Sequence, residues 1–422
     1  MPTQPENPEA GIRNHRLDFG RESEFGVLGA DPELLKYSKA FTAWNWSSSS
    51  IIERVGSAGS VDPVDQEKGP EEHDLTVTYY LCKWFVDGSD ANDAAYDGLM
   101  RDADNLLPNS HTVVDRETRE IIAGENTHNG STARPTRFYR VGRGSLIDEV
   151  TVTGDPSSAQ PTQVNLAYKT QYVRPYQVDQ PTDGEGDVMV AVESSDASDT
   201  SQTVTIEDEG AATTVSLSLD GTTLVSDATT FGDIDSVELS AETTGDVTVY
   251  INEGTDSSPT AGDTLTVLYG ADSYDGIEGD TGIPALGAGS RETTASLGDY
   301  EKFIGDRILR DSTPYAHEIP NAELVVTNNI ETTERGSGFG MAIHPGNREI
   351  TLMAAMYGEA TTYDMLDYHL RNEEKDHEWE MDGGTLTIEG AHLHEPGEPA
   401  AEEGNAVLTT ENNFRGNGIS IS

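Results

Sequence analysis

Apolar residues recur at every second position through most of this chain, and helical spacing is rare. In "REITLMAAMYG", Ile350, Leu352, Ala354 and Met356 fall on one side of an extended strand. Met353, Ala355 and Tyr357 share the other side with Glu349 and Thr351, so this strand needs a cover on both faces. The same period of two runs through "HDLTVTYYLCKWF", "TRFYRVGRGSLIDEVTVTGD" and "TQVNLAYKTQYVRPYQV", as half-buried strands require. Helical spacing appears twice. "DANDAAYDGLMRDADNLLP" sets Ala95, Leu99, Ala103 and Leu106 for a helix near residues 90–107 that Pro108 ends. "TTYDMLDYHLRNEEK" puts Thr361 and Asp364 in capping-box positions, with Met365, Leu366 and Leu370 on one face. "GDYEKFIGDRILRDS" reads as helix or loop, and the Gly-rich "GSGFG" as a flexible connection between two strands.

These elements fall into three blocks. Residues 1–182 open with a polar arm and continue in strands. Residues 183–272 carry short strands, "DVMVAVES", "QTVTIED", "TTVSLSLD", "DSVELSAE", "DVTVYIN" and "DTLTVLYG", punctuated by turn residues. That rhythm belongs to an all-β sandwich, here an Ig-like module inserted into the first domain; a long decorated hairpin is the other reading. Residues 273–422 close the host domain with "GTLTIEGAHLHE", "NAVLTTENNF" and "NGISIS". The fold expected is mainly β, a sandwich or barrel with one or two flanking helices and an inserted β domain.

Charge changes the picture. The chain has 422 residues, 76 Asp and Glu against 26 Lys and Arg, and a net charge of −50. Only seven of the cations are lysines, and from Arg174 to Arg291 there is neither Lys nor Arg among 24 acids. Such self-repulsion strains a compact state in dilute buffer. At about 1 M salt the screening length falls to roughly 3 Å, so the composition reads as adaptation to high salt. Stable nucleic-acid binding needs cations for the phosphates. The nearest thing to a basic patch is Arg134, Arg137, Arg140 and Arg143, so DNA is expected only in transit. The single Cys82 excludes an intramolecular disulfide framework. No signal-peptide pattern opens the chain and no run is long and apolar enough to span a membrane, so no membrane partner is expected.

Signatures of catalysis are missing: no phosphate loop, no nucleophile elbow and no H-E-x-x-H helix. His392 and His394 share a strand face beside Glu395 and are a candidate zinc pair. "DGSDANDAAYDG" at 87–98 resembles a calcium loop but lacks its central Gly and final Glu. Carboxylate pairs abound in so acidic a chain, but the aromatic content of 7% argues against a sugar cleft. The expectation is a non-enzyme without metal or cofactor.

The host blocks resemble the major tail tube proteins of long-tailed, siphovirus-like viruses. "EKFIGDRILRDSTPYAHEIPNAELVVTNNIETTE", "HPGNREITLMAAM" and the closing "GTLTIEGAHLHEPGEPAAEEGNAVLTTENNFRGNGISIS" carry the likeness. "RESEFGVLG" and "IIERVGSAGSVDP" ahead of "HDLTVTYYLCKWF" add to it. With the acidity, the resemblance implies a virus of haloarchaea. It implies a structural subunit that assembles in the host cytoplasm into stacked, commonly hexameric rings of the virion tail. The partners implied are further copies of itself and the tape-measure, tail-terminator and tail-tip proteins. DNA would pass through a carboxylate-lined lumen. Met353, Ala355 and Tyr357 become candidates for the subunit interface, the second face being covered by a neighbour or by "TTYDMLDYHL". The polar arm and the loop at 54–73, with Val55, Val61 and Val64, become candidates for ring-to-ring contact. The inserted block resembles Ig-like decorations, dispensable for assembly. Another halophilic virion surface or decoration protein is the alternative.

Overall fold

The computed structural model describes residues 15–28, 35–36, 41–55, 65–81, 94–100, 109–119, 136–154, 161–179, 188–208, 213–232, 234–252, 263–270, 281–284, 301, 307–310, 313–316, 321–334, 341–344, 346–357, 367–381, 384–396 and 409–422. The first part of the chain forms β1 (His15–Glu24), β2 (Val27–Leu28), β3 (Leu35–Lys36), β4 (Phe41–Val55), β5 (Asp65–Tyr80), β6 (His111–Arg119), β7 (Thr136–Gly154) and β8 (Gln163–Asp179). Helix α1 (Ala94–Leu99) lies between β5 and β6. The middle supplies β9 (Val188–Ser194), β10 (Thr203–Glu207), β11 (Thr214–Ser218), β12 (Val225–Phe231), β13 (Ser236–Leu239), β14 (Val247–Asn252), β15 (Asp263–Leu268) and β16 (Gly282–Ile283). The last part supplies β17 (Arg307–Arg310), β18 (Thr313–Ala316), β19 (Asn321–Thr327), β20 (Glu331–Glu334), β21 (Met341–His344), β22 (Glu349–Tyr357), β23 (Lys375–Met381), β24 (Gly384–Glu395), β25 (Thr409–Gly416) and β26 (Gly418–Ile421). The fold is mainly β.

One large antiparallel sheet joins the two ends of the chain, and β7 is its hinge. Along its whole length β7 pairs with β8, and β8 continues the sheet to β5 and β4. Its other edge is divided: Thr136–Ser145 takes β6, and Glu149–Gly154 takes β19. From β19 the order runs through β22, β25, β24, β23, β17 and β18. Alternation does the rest. Val164, Leu166 and Tyr168 of β8, Leu324 and Val326 of β19 and Ile350, Leu352 and Ala354 of β22 turn to one side. There they meet Trp379 of β23, Leu386 and Ile388 of β24 and Phe414 of β25 in the host core.

Helix α1 caps that core and is shorter than its spacing predicts: among the described residues it ends at Leu99, and Met100 is no longer helical. The ends of a helix leave carbonyls without partners, and here side chains take them. The Asn328 amide donates to the Gly98 carbonyl at 3.3 Å, and the Arg348 guanidinium to that of Leu99. Gly98 is pressed on β7, where a Cβ would come within 2.4 Å of Val150. Ala103 and Leu106 lie outside the described residues.

The second helix also differs from expectation. Its described residues are 367–371, and Leu370, expected on the buried face, is 73% exposed. Tyr368 is buried instead, its hydroxyl donating to the Ala391 carbonyl at 2.5 Å, while His369 bonds that of Leu393 at 2.8 Å. Polar tips bonded to β24, not an apolar stripe, fix this turn's orientation. Thr361, Asp364, Met365 and Leu366 lie outside the described residues. "GDYEKFIGDRILRDS", read as helix or loop, is neither at Arg307–Arg310, which is strand β17 paired with β23.

The inserted block is a sandwich of two four-stranded sheets, β11-β10-β13-β16 and β12-β9-β14-β15. It extends past the expected boundary at 272, because β16 at Gly282–Ile283 completes the first sheet. β12 was not expected either; its polar "VSDATTF" lies largely exposed. Immunoglobulin sandwiches group their strands ABED and CFG. Lettered A to H, the strands here run C-B-E-H and D-A-F-G, so the order is not the immunoglobulin one.

The sandwich is not a loosely tethered decoration. Its core is continuous with host residues Val114, Tyr139, Val141, Tyr176 and Val178. The two units share β6, β7 and β8, whose far ends are roofed by the insertion.

Candidate assembly surface

Opposite the host core, the same strands present a face whose described side chains are mostly half-buried, with Thr76, Glu349, Met353 and Arg415 exposed. Its side chains lie in ladders across the sheet. Thr78, Asn165, Thr151, Val325, Thr351 and Arg415 form one row from β5 to β25. Tyr80, Gln163, Thr153, Glu323, Met353 and Asn413 form the next. Thr76, Ala167, Glu149, Thr327 and Glu349 form a third. Threonines and amides outnumber carboxylates on these rows, and the share of acids matches that of the chain as a whole. Lys169, on the same face of β8, is held 2.8 Å from Asp74 and 3.1 Å from Glu72. Burial pulls its pKa down, but bonds to these two acids outweigh that and raise it.

Met353 stands out from this polar field at 40% exposure. It lines a hollow of about 500 Å³ with Thr153, Glu323, Ala355, Glu395 and Asn413. Ala355 is buried at 5%, so the second face of β22 is only partly open. The second helix does not cover Met353: its Tyr368 belongs to the core on the other side. The side chain of Tyr357 lies outside the described residues.

At the end of the sheet β4 pairs only with β5 among the described residues. This edge is fifteen residues long and carries exposed Ser47, Ser48 and Ser49. A long free edge is a template for another strand unless something blocks it. The segment 54–73, expected to be a loop, is largely strand. Arg54 faces Gln66 and Val55 faces Asp65, so β4 and β5 make one long hairpin. Polar sequence concealed it, because "DQEKGPEEH" offers no apolar alternation. The side chain of Val55 and all of Val61 and Val64 lie outside the described residues.

Two buried ion clusters were not foreseen. Asp97 accepts a bidentate pair of bonds from Arg21 at 2.7 and 2.5 Å, one from His111 Nε2 at 2.8 Å and one from Asn109 at 2.9 Å. Burial pushes its carboxyl up, but the bonds and charges of His111 and Arg21 outweigh it and hold the pKa below 3.8. His111 and Asp97 are 0% and 1% exposed. The pair resembles a catalytic dyad in composition, but it is buried and ties α1 to β1 and β6. At the seam with the sandwich, Asp235 accepts from Arg116 at 2.5 Å and Arg137 at 3.1 Å. Tyr139 donates to its carbonyl at 3.2 Å. Burial, then the charge of Asp235, pushes the Tyr139 phenol well up. The expected basic patch is thereby dispersed: Arg137 binds the insertion, Arg143 is buried with a bond to the Gly282 carbonyl, and Arg140 alone of these three is exposed. Arg134 lies outside the described residues.

The candidate metal ligands stay apart. His392 bonds Glu374 at 3.1 Å, and His394 is 4.0 Å from Glu395. No group of three or more His, Cys, Asp or Glu suited to an ion exists among the described residues. Residues 87–93 of the calcium-like loop, and Cys82, lie outside them. No helix of the described chain is long and apolar enough to cross a membrane. Comparison with models of known protein families found no match, and neither did comparison with curated proteins.

Proposed function

We propose that this chain is a structural subunit of a viral tail tube, built for high salt, which joins copies of itself into rings around a conduit for DNA. One observation carries the reading: among the described residues, a single sheet from β4 to β24 keeps one face polar and half-buried to exposed, and ends in a long edge that pairs only with β5. A subunit of a closed wall needs both. The free edge of β4 takes the neighbour's strands by main-chain pairing, a heterologous contact that closes by rotation. The polar face then lines the lumen.

The chemistry of that face suits passage rather than capture. Each phosphate neutralised by a lysine or arginine adds to affinity by releasing counterions. The three rows carry Glu149, Glu323 and Glu349 against Arg415, and the nearby Lys169 is occupied by its own carboxylates. Threonine hydroxyls keep the wall wet without holding a duplex. Met353 supplies an apolar contact at the interface.

Negative-stain microscopy of concentrated protein in molar salt tests the proposal. Hollow rings or filaments are expected, and Met353→Glu is expected to abolish them while leaving the monomer's melting unchanged. A monodisperse monomer across all such conditions overturns it.

A further inference from the structure

Beside the free edge of β4 lies a second hollow, of about 370 Å³, built quite differently from the polar face. Trp44, Trp46, Phe138 and Pro175 line it, and Arg140 stands exposed at the rim. Two of the four tryptophans of the chain are gathered here. Both are fixed in advance. The Trp44 indole N–H donates to Asp115 at 3.2 Å, and Trp46 lies against the backbone of Gly142, where a Cβ would approach its ring to 2.7 Å. Rings held ready in this way lose little freedom on binding. The volume falls in the range of small-ligand and peptide pockets.

The N-terminal segment leads to this place. Strand β1 begins at His15, which faces Glu117 in the β1·β6 ladder, and Glu117 lines the hollow. The sequence ahead of it, "MPTQPENPEAG", spaces Pro2, Pro5 and Pro8 three apart. In a polyproline II helix, with three residues per turn, prolines at this spacing would share one edge, and Glu6 and Glu9 the next. Grooves lined by aromatic side chains are the usual receptors for such a row. Arg140 gives the two glutamates a cation at the rim. Stacking of apolar rings also survives molar salt, which screens recognition by charge alone.

We propose that the Trp44–Trp46 hollow receives the chain's own N-terminal segment, with Pro2, Pro5 and Pro8 seated against the aromatic walls. Reach permits it: seven residues from Pro8 to His15 span up to about 23 Å. A tether this short raises the effective concentration to the millimolar range, which favours the chain's own segment over a second copy. The inference concerns the single chain and stands or falls apart from ring assembly.

The test uses the full chain and a synthetic peptide of residues 1–12, titrated in molar salt and followed by tryptophan fluorescence and calorimetry. The wild-type chain, its hollow filled, is expected to take up the peptide at least ten-fold more weakly than the chain carrying Pro2→Ala, Pro5→Ala and Pro8→Ala. A peptide with its prolines moved out of the three-residue spacing is expected not to bind either. Adding Phe138→Ala to the substituted chain is expected to weaken uptake ten-fold or more, with an unchanged melting profile as the control for folding. Equal uptake by wild-type and substituted chains, or none by the substituted chain, overturns the proposal. So does a wild-type dimer that the peptide disperses, since the segment then serves a second copy.

Discussion

On β8 the even-numbered residues from Val164 to Val178 are buried without a break, whereas the odd-numbered ones from Gln163 to Gln177 stay half-buried or exposed. The buried side is itself divided. Val164, Leu166 and Tyr168 face the host core, and Tyr176 and Val178 face the core shared with the insertion. Partners divide the strand at the same place. β5 pairs with β8 only as far as the match of His73 with Thr170, and Pro175, with no N–H to give, lies beyond it. One side of this strand is thus sealed twice by the chain's own segments, while the other is kept polar. An entire inserted domain covers one surface of this strand, while among the described residues the other stays half-buried or exposed.

Breaking the sealed side has the largest expected effect. Replacing residues 188–283 by a short linker strips the cover from Val114, Tyr139, Val141, Tyr176 and Val178. The expected outcome is loss of soluble, cooperatively melting protein, contrary to the behaviour of a dispensable decoration. Next is Asp235→Ala, which leaves Arg116 and Arg137 at the seam without their shared carboxylate. A loss of about 3 kcal/mol is expected from denaturant unfolding in molar salt. Asp97→Asn ranks third, at about 2 kcal/mol, and carries a pH signature. Because the folded-state pKa of Asp97 lies below 3.8, its contribution is complete above that value and is lost as pH falls through the folded one. The wild type is therefore expected to lose stability through this acid range, and Asp97→Asn to lose less of it. Smallest is Thr151→Val together with Thr351→Val on the open face, within about 0.5 kcal/mol of wild type. A large stabilisation by that pair would mean that the face is already dry in the single chain.

Much of this architecture was legible in the sequence because period-two alternation forces it. Ile350, Leu352 and Ala354 turned inward as their spacing requires, and six strands of the insertion stand where turn residues bracket them. What escaped notice lacked an apolar signal. The β5 end of the long hairpin, "DQEKGPEEH", is polar, and β12 is mostly exposed. The second helix is oriented by the hydroxyl of Tyr368 and the ring of His369 rather than by leucines. The candidate surface was half legible: Met353 was named from its place on the strand, but its threonine-rich surroundings come from six strands far apart in the chain. The aromatic hollow was hidden by the same distance, since an overall aromatic content says nothing about where the rings gather. Buried ion clusters leave no mark at all among 76 acids.

The divided edge of β7 also sets an order of events. Its half from Thr136 to Ser145 is matched by β6, already made, but the half from Glu149 to Gly154 waits for β19, which emerges only after the whole sandwich. During synthesis the nascent chain therefore carries an unfinished sheet margin, and such margins invite pairing with the wrong chain. Repulsion between acidic chains keeps such margins apart in dilute buffer, and molar salt, by screening it, removes that protection.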